Sequence, residues 1–108
     1  MTNYMLLFSG GRMPESEADQ KAVLNDWQAW FAKLGGALVD AGNPFTPMTR
    51  SIDSDGRVTN GSNGMMASGY TIIKADSLDA AVAMAKGCPV LKSGAKISVF
   101  ETFDAMGM

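Results

Sequence analysis

Four side chains are placed by type and spacing to hold a small ligand: Ser9, Arg12, Arg50 and Tyr70. In Ser9-Gly10-Gly11-Arg12, successive backbone amides beside a guanidinium can cradle a phosphate or carboxylate. A plain strand-to-helix turn needs the same glycines, and a single Gly-Gly-Arg is a much weaker signal than a full phosphate loop. Arg50 shares its strand alternation with Met48 and Ile52 and points inward if they do. An inward guanidinium requires a carboxylate, either of the protein or of an acidic ligand, and pairing within the protein is the simpler of the two. Tyr70 opens a β-rich segment and offers a phenol to the same kind of ligand. Trp27 and Trp30 share one apolar helix face and either line a pocket or, more commonly for tryptophan, form core.

The residues that are missing limit the chemistry further. The chain has no histidine and one cysteine, Cys88. A disulfide within the chain, cysteine-based zinc spacings, histidine acid/base catalysis and Ser-His or Cys-His triads are all excluded, so neither a metal nor a cofactor is expected. Cys88, followed by Pro89, has no base near it in sequence and reads as packing. Asp40, Asp53, Asp55, Asp76 and Asp79 fall near helix ends and turns, where short carboxylates serve backbone amides. Nine Lys and Arg against eleven Asp and Glu give a net charge of -2, with the basic residues scattered. That distribution argues against nucleic acid and anionic membrane as partners. The apolar run Tyr4–Phe8 is too short for a signal segment and has no basic stretch before it, so a cytoplasmic location is expected.

These side chains must be positioned by one folded domain spanning 1–108, since 46% of residues are hydrophobic and only 19% charged. Tyr4-Met5-Leu6-Leu7-Phe8 predicts a buried first strand. Ser16-Glu17-Ala18-Asp19 resembles a capping box and starts a helix. Val23, Trp27, Trp30, Phe31, Leu34, Leu38 and Ala41 continue its apolar face, favouring a helix to about Asp40. Gly35 and Gly36 would each cost roughly 1 kcal/mol inside it, leaving a stop at Leu34 as the alternative. Met48–Ile52, Asp55-Gly56 and Arg57–Thr59 predict a hairpin, with its first limb as the second strand. Residues 60–68 have turn composition. Gly69–Ala75 predicts a strand, and Asp76-Ser77 caps a short helix with Leu78, Ala81, Val82 and Ala85 on one side. Lys96–Phe103 predicts the last strand.

The order is β-α-β-β-α-β with an extra hairpin arm, an α+β, ferredoxin-like arrangement in which two helices cover one face of an antiparallel sheet. The strands do not alternate between apolar and polar residues as a half-solvated sheet would. Met5 and Leu7 oppose Tyr4, Leu6 and Phe8; Ile73 opposes Tyr70 and Ile72; Phe100 opposes Ile97 and Val99. Both faces look buried, yet one chain supplies helices for only one, so a homodimer is expected.

Taken together, Tyr4–Phe8, Trp27 and Trp30, Gly42-Asn43-Pro44, Gly69-Tyr70, Ala75–Ala81 and Lys86-Gly87-Cys88-Pro89-Val90-Leu91 resemble the YCII-related family over nearly the whole chain. That resemblance implies a dimeric α+β barrel. Many relatives carry Asp-Gly-Pro-Phe, which would fall at Asn60-Gly61-Ser62-Asn63, where the glycine alone matches. Relatives suspected of catalysis use a histidine with an aspartate, and this chain has no histidine. The resemblance therefore implies a fold and carries no catalytic pair. The expected function is a homodimeric module that binds or senses a small acidic or apolar molecule. The competing expectation is a cofactor-free isomerase or lyase using Arg50, Tyr70 or an acidic residue on a carboxylate-bearing substrate. A third is a structural partner of another protein. A cavity holding Arg50 with a carboxylate favours the enzyme, an apolar cavity favours binding, and a filled one favours the structural role.

Overall fold

The continuous apolar run at the start of the chain becomes β1 (Thr2–Ser9), with Tyr4, Leu6 and Phe8 buried beneath the helices and Met5 and Leu7 on the opposite face. The computed structural model describes residues 1–62, 64 and 66–105. Elements follow as α1 (Glu17–Leu34), β2 (Leu38–Asp40), β3 (Arg50–Ile52), β4 (Val58–Asn60), β5 (Ala67–Ala75), α2 (Leu78–Ala85) and β6 (Lys96–Glu101). The four-stranded sheet has the order β2-β5-β1-β6, with every neighbouring pair antiparallel. This is the split arrangement expected for a ferredoxin-like α+β fold.

Both helices start where the sequence places their caps. Ser16 accepts from the Asp19 amide at 3.1 Å, and Ser77 accepts from the Ala80 amide at 3.1 Å. The favoured continuation of α1 to Asp40 is wrong. Gly35, with φ 54°, caps the helix at Leu34, one turn of 3-10 helix covers Gly35–Ala37, and the chain turns into β2. The glycine penalty outweighs the apolar periodicity there, because Leu38 gains a strand partner in Ile73 in place of a helix face. The assignment of the second sheet strand changes with it. Leu38–Asp40 takes that place, and Arg50–Ile52 pairs only with Val58–Asn60 in a separate two-stranded sheet.

The core lies between the sheet and the helices. Leu6 is flanked by Thr71 and Val99, and Phe8 by Gly69 and Ile97. Trp30 joins the two helices, donating its indole N–H to the Met84 carbonyl at 3.2 Å. Ala81 and Ala85 of α2 are buried, whereas Leu78 is exposed. Thr71 is a fully buried polar side chain, and its hydroxyl donates to the Ala41 carbonyl at 3.0 Å. That bond pins the chain leaving β2 against β5, satisfying a group that would otherwise be costly to bury.

The opposite sheet face carries no helix. Ile72, Met5 and Phe100 form one row across three strands, and Tyr70, Leu7 and Ser98 the next. Both rows are half-buried at most, and Phe100 is 48% exposed. The two-faced apolar character read from the sequence is thus present in the fold.

Candidate functional site: a cleft under the first helix

The apolar face of α1 packs only partly. Trp30 enters the core, while Val23, Trp27 and Phe31 look into a cleft of about 870 Å³. That volume lies in the range of small-molecule sites. Phe8 rises from the sheet beneath it, and Trp27 meets Phe8, Trp30 and Phe31 with centroids 5.7, 5.8 and 5.6 Å apart. The floor is therefore a rigid aromatic cluster with one indole left partly open.

The walls come from loops. After β1, residues 10–14 carry Arg12 and Met13 along one side, and Gln20 donates to the Pro14 carbonyl at 2.9 Å, tying this segment to α1. On the other side the segment after β2 crosses the edge of β5. Gly42, with φ 71°, donates to Asp40 Oδ1 at 2.8 Å, and the Phe45 amide donates to the Ser68 carbonyl at 2.9 Å. Gly42 has no room for a side chain, since a Cβ would overlap the Tyr70 carbonyl oxygen. Phe45 and Tyr70 stack with centroids 5.9 Å apart at the rim.

Charge in the cleft is sparse. Asp26 and Lys92 form an ion pair at 3.2 Å, both substantially solvent-exposed. Such a pair contributes under about 1 kcal/mol. Arg12 makes no ion pair among the described residues. Among the described residues the cleft therefore offers an apolar, aromatic floor, one guanidinium outside any ion pair, and one carboxylate, paired with Lys92.

Of the four residues singled out in the sequence, two border this site, Tyr70 with its side chain turned to the outer sheet face beside Leu7. Arg12 and Tyr70 line it; Ser9 and Arg50 do not. The amide of Gly10 donates to the Met66 carbonyl at 3.2 Å, so that amide of the supposed anion nest is occupied. Arg50 is not inward. Met48, Arg50 and Ile52 are all exposed, and among the described residues the guanidinium reaches only the carbonyl of Thr49, at 3.1 Å. The alternation was read correctly, but the hairpin stands off the main sheet, so neither of its faces has a core to point into. Of the two tryptophans weighed between pocket and core, Trp27 borders the cleft and Trp30 fills the core, while Phe31 and Phe45 were not read as site residues. Nothing in residue type separates a tryptophan that fills core from one that stops half a layer short of it. Asn63 of the Asn60–Asn63 segment, and Met65, lie outside the described residues.

Cys88 is buried at the start of the 3-10 turn Pro89–Ser93, and burial pushes its thiol up from 9.0 to about 11. Because the folded state holds the proton more tightly than the unfolded chain, this contribution to stability is complete below pH 9 and is lost as pH rises toward about 11. Urea midpoints should accordingly fall across that interval, and Cys88→Ala should flatten the decline. A profile of identical slope in the variant would assign the alkaline loss elsewhere, with Tyr4, also raised by burial and by Glu101, as the next group.

No family model matches the chain, and no curated protein matches it in sequence. Among solved structures, it is similar to 5-chloro-2-hydroxyhydroquinone dehydrochlorinase (TftG) from Burkholderia phenoliruptrix AC1100, in complex with 2,5-dihydroxybenzoquinone. The two share 17% identity over 95% of this chain and 96% of that one, with a TM-score of 0.56. At that identity the likeness concerns architecture: the chain has a small ferredoxin-like α+β fold, an antiparallel sheet with two helices on one face, of the kind found in α+β barrels.

Proposed function

We propose that this chain is a YCII-like homodimeric module that binds a small, flat, largely apolar molecule bearing an acidic group. The observation that carries the reading is the cleft of about 870 Å³, with Trp27, Phe31 and Phe8 as its floor and, at its wall, Arg12, which makes no ion pair among the described residues. Apolar pockets with a few convergent polar groups are the usual form of small-molecule sites. A guanidinium without a protein partner is suited to a carboxylate or sulfonate, and the aromatic floor to the ring beside it. The similar dehydrochlorinase is described with a quinone bound, which accords with a flat ligand on this fold. Dimerisation through the bare sheet face is supported by the apolar rows around Leu7 and Met5.

The cofactor-free isomerase or lyase is the second reading, favoured by Asp26, the carboxylate that lines the cleft. Its pairing with Lys92 argues for a structural role over that of a general base. Arg50, exposed on the hairpin, does not converge on that carboxylate.

Titration with 1-naphthoate, followed by tryptophan fluorescence, tests the binding reading. Saturable quenching is expected. Arg12→Ala should weaken it by about tenfold or more, the usual worth of one charge-assisted hydrogen bond. Lys33→Ala, on a surface outside the cleft, should leave it unchanged. Equal affinity in Arg12→Ala would remove the arginine from the site.

A further inference from the structure

The hairpin of β3 and β4 is the part of the molecule least explained by its own chain. Two-stranded hairpins are marginal in water unless something covers an apolar face. Here Met48, Ile52 and Val58 are 75, 70 and 58% exposed, with Ile52 and Val58 paired directly across the two strands. The chain measures 45 × 40 × 19 Å with a radius of gyration of 15.5 Å. A compact chain of this length would have about 13 Å. The chain is thus more open than a compact one, and the arm's apolar side chains find no cover among the described residues.

The same chain carries a second uncovered apolar surface, the outer sheet face with Met5, Leu7, Ile72 and Phe100. Four strands about 4.8 Å apart, each contributing about six residues at about 3.3 Å, outline roughly 400 Å². A stable interface buries about 800 Å² per partner. The sheet face alone falls short, and a second apolar element from the same chain supplies the remainder. In a two-fold assembly any such contact occurs twice.

We infer that the β3–β4 arm is a clasp for a second copy of this chain, reaching past the paired sheets to lay Met48, Ile52 and Val58 on the partner. The inference rests on the proposed sheet-to-sheet dimer, and it adds that the dimer's affinity is set largely by the arm.

Light scattering over a dilution series, on the full chain and two variants, tests it. Ile52→Asp and a variant with residues 48–60 replaced by a short Gly-Ser linker should each raise the dimer dissociation constant by about tenfold or more, the effect of losing one well-buried anchor. Both should retain the far-ultraviolet dichroism and Trp30 fluorescence of the parent, because the arm packs on none of the core. An unchanged dissociation constant in both variants, with the parent dimeric, overturns the clasp and leaves the sheet dimer standing. A monomeric parent overturns the dimer and the clasp together.

Discussion

Gly42→Ala is expected to destabilise the fold by about 3 kcal/mol or more, an unusually large effect for one methyl group. Two independent causes add. Gly42 holds φ 71°, where a side chain costs about 1–2 kcal/mol. The added Cβ would also overlap the Tyr70 carbonyl oxygen, and that atom belongs to backbone that cannot swing aside. Relief requires moving the loop off β5, which breaks the Thr71 hydroxyl bond to Ala41 and opens one wall of the cleft. Urea denaturation should show a strongly lowered midpoint, and residual folded protein should bind 1-naphthoate poorly. Gly36→Ala is the control, since a Cβ there meets open space. A loss in Gly42→Ala no greater than in Gly36→Ala would contradict this account of the loop.

Leu7→Asp has the other large expected effect. Leu7 lies in the middle of the bare sheet face, between Tyr70 and Ser98. In the proposed dimer its substitution buries a carboxylate without a partner, at a cost of several kcal/mol. The dimer should fail at micromolar concentration. Light scattering and far-ultraviolet dichroism on the same samples separate the outcomes. A Leu7→Asp chain that remains dimeric and folded would place the interface elsewhere.

The strands and helix caps were legible in the sequence because each rests on local physics. A continuous apolar run marked β1 and β-branched and aromatic content marked β5, and Ser16 and Ser77 announced their helices by the side-chain oxygen they offer to orphan amides. The three-residue β2 was not legible. Leu38, Val39 and Asp40 extend a helical pattern in sequence, and only pairing with β5 makes them a strand. The hairpin was found, but its place in space was not, because alternation says which residues share a face and not whether any core lies opposite. That is why Arg50 was read as inward. The site divides in the same way. Arg12 and Tyr70 drew attention by type, whereas Trp27 and Phe31 have the composition of core, and their role depends on the gap left between α1 and the loops after β1 and β2.

The central claim, an aromatic cleft that takes a small acidic ligand, is tested most directly by the two indole N–H resonances of nitrogen-15 labelled protein, assigned with Trp30→Phe. Trp27 borders the cleft, and Trp30 is locked in the core with its N–H bonded to Met84. On titration with 1-naphthoate the Trp27 resonance should move saturably while that of Trp30 stays nearly fixed, and the Trp27 movement should weaken in Arg12→Ala. Saturable binding that leaves the Trp27 resonance unmoved, or no binding of any aryl carboxylate at millimolar concentration, would contradict the assignment of the cleft as a ligand site.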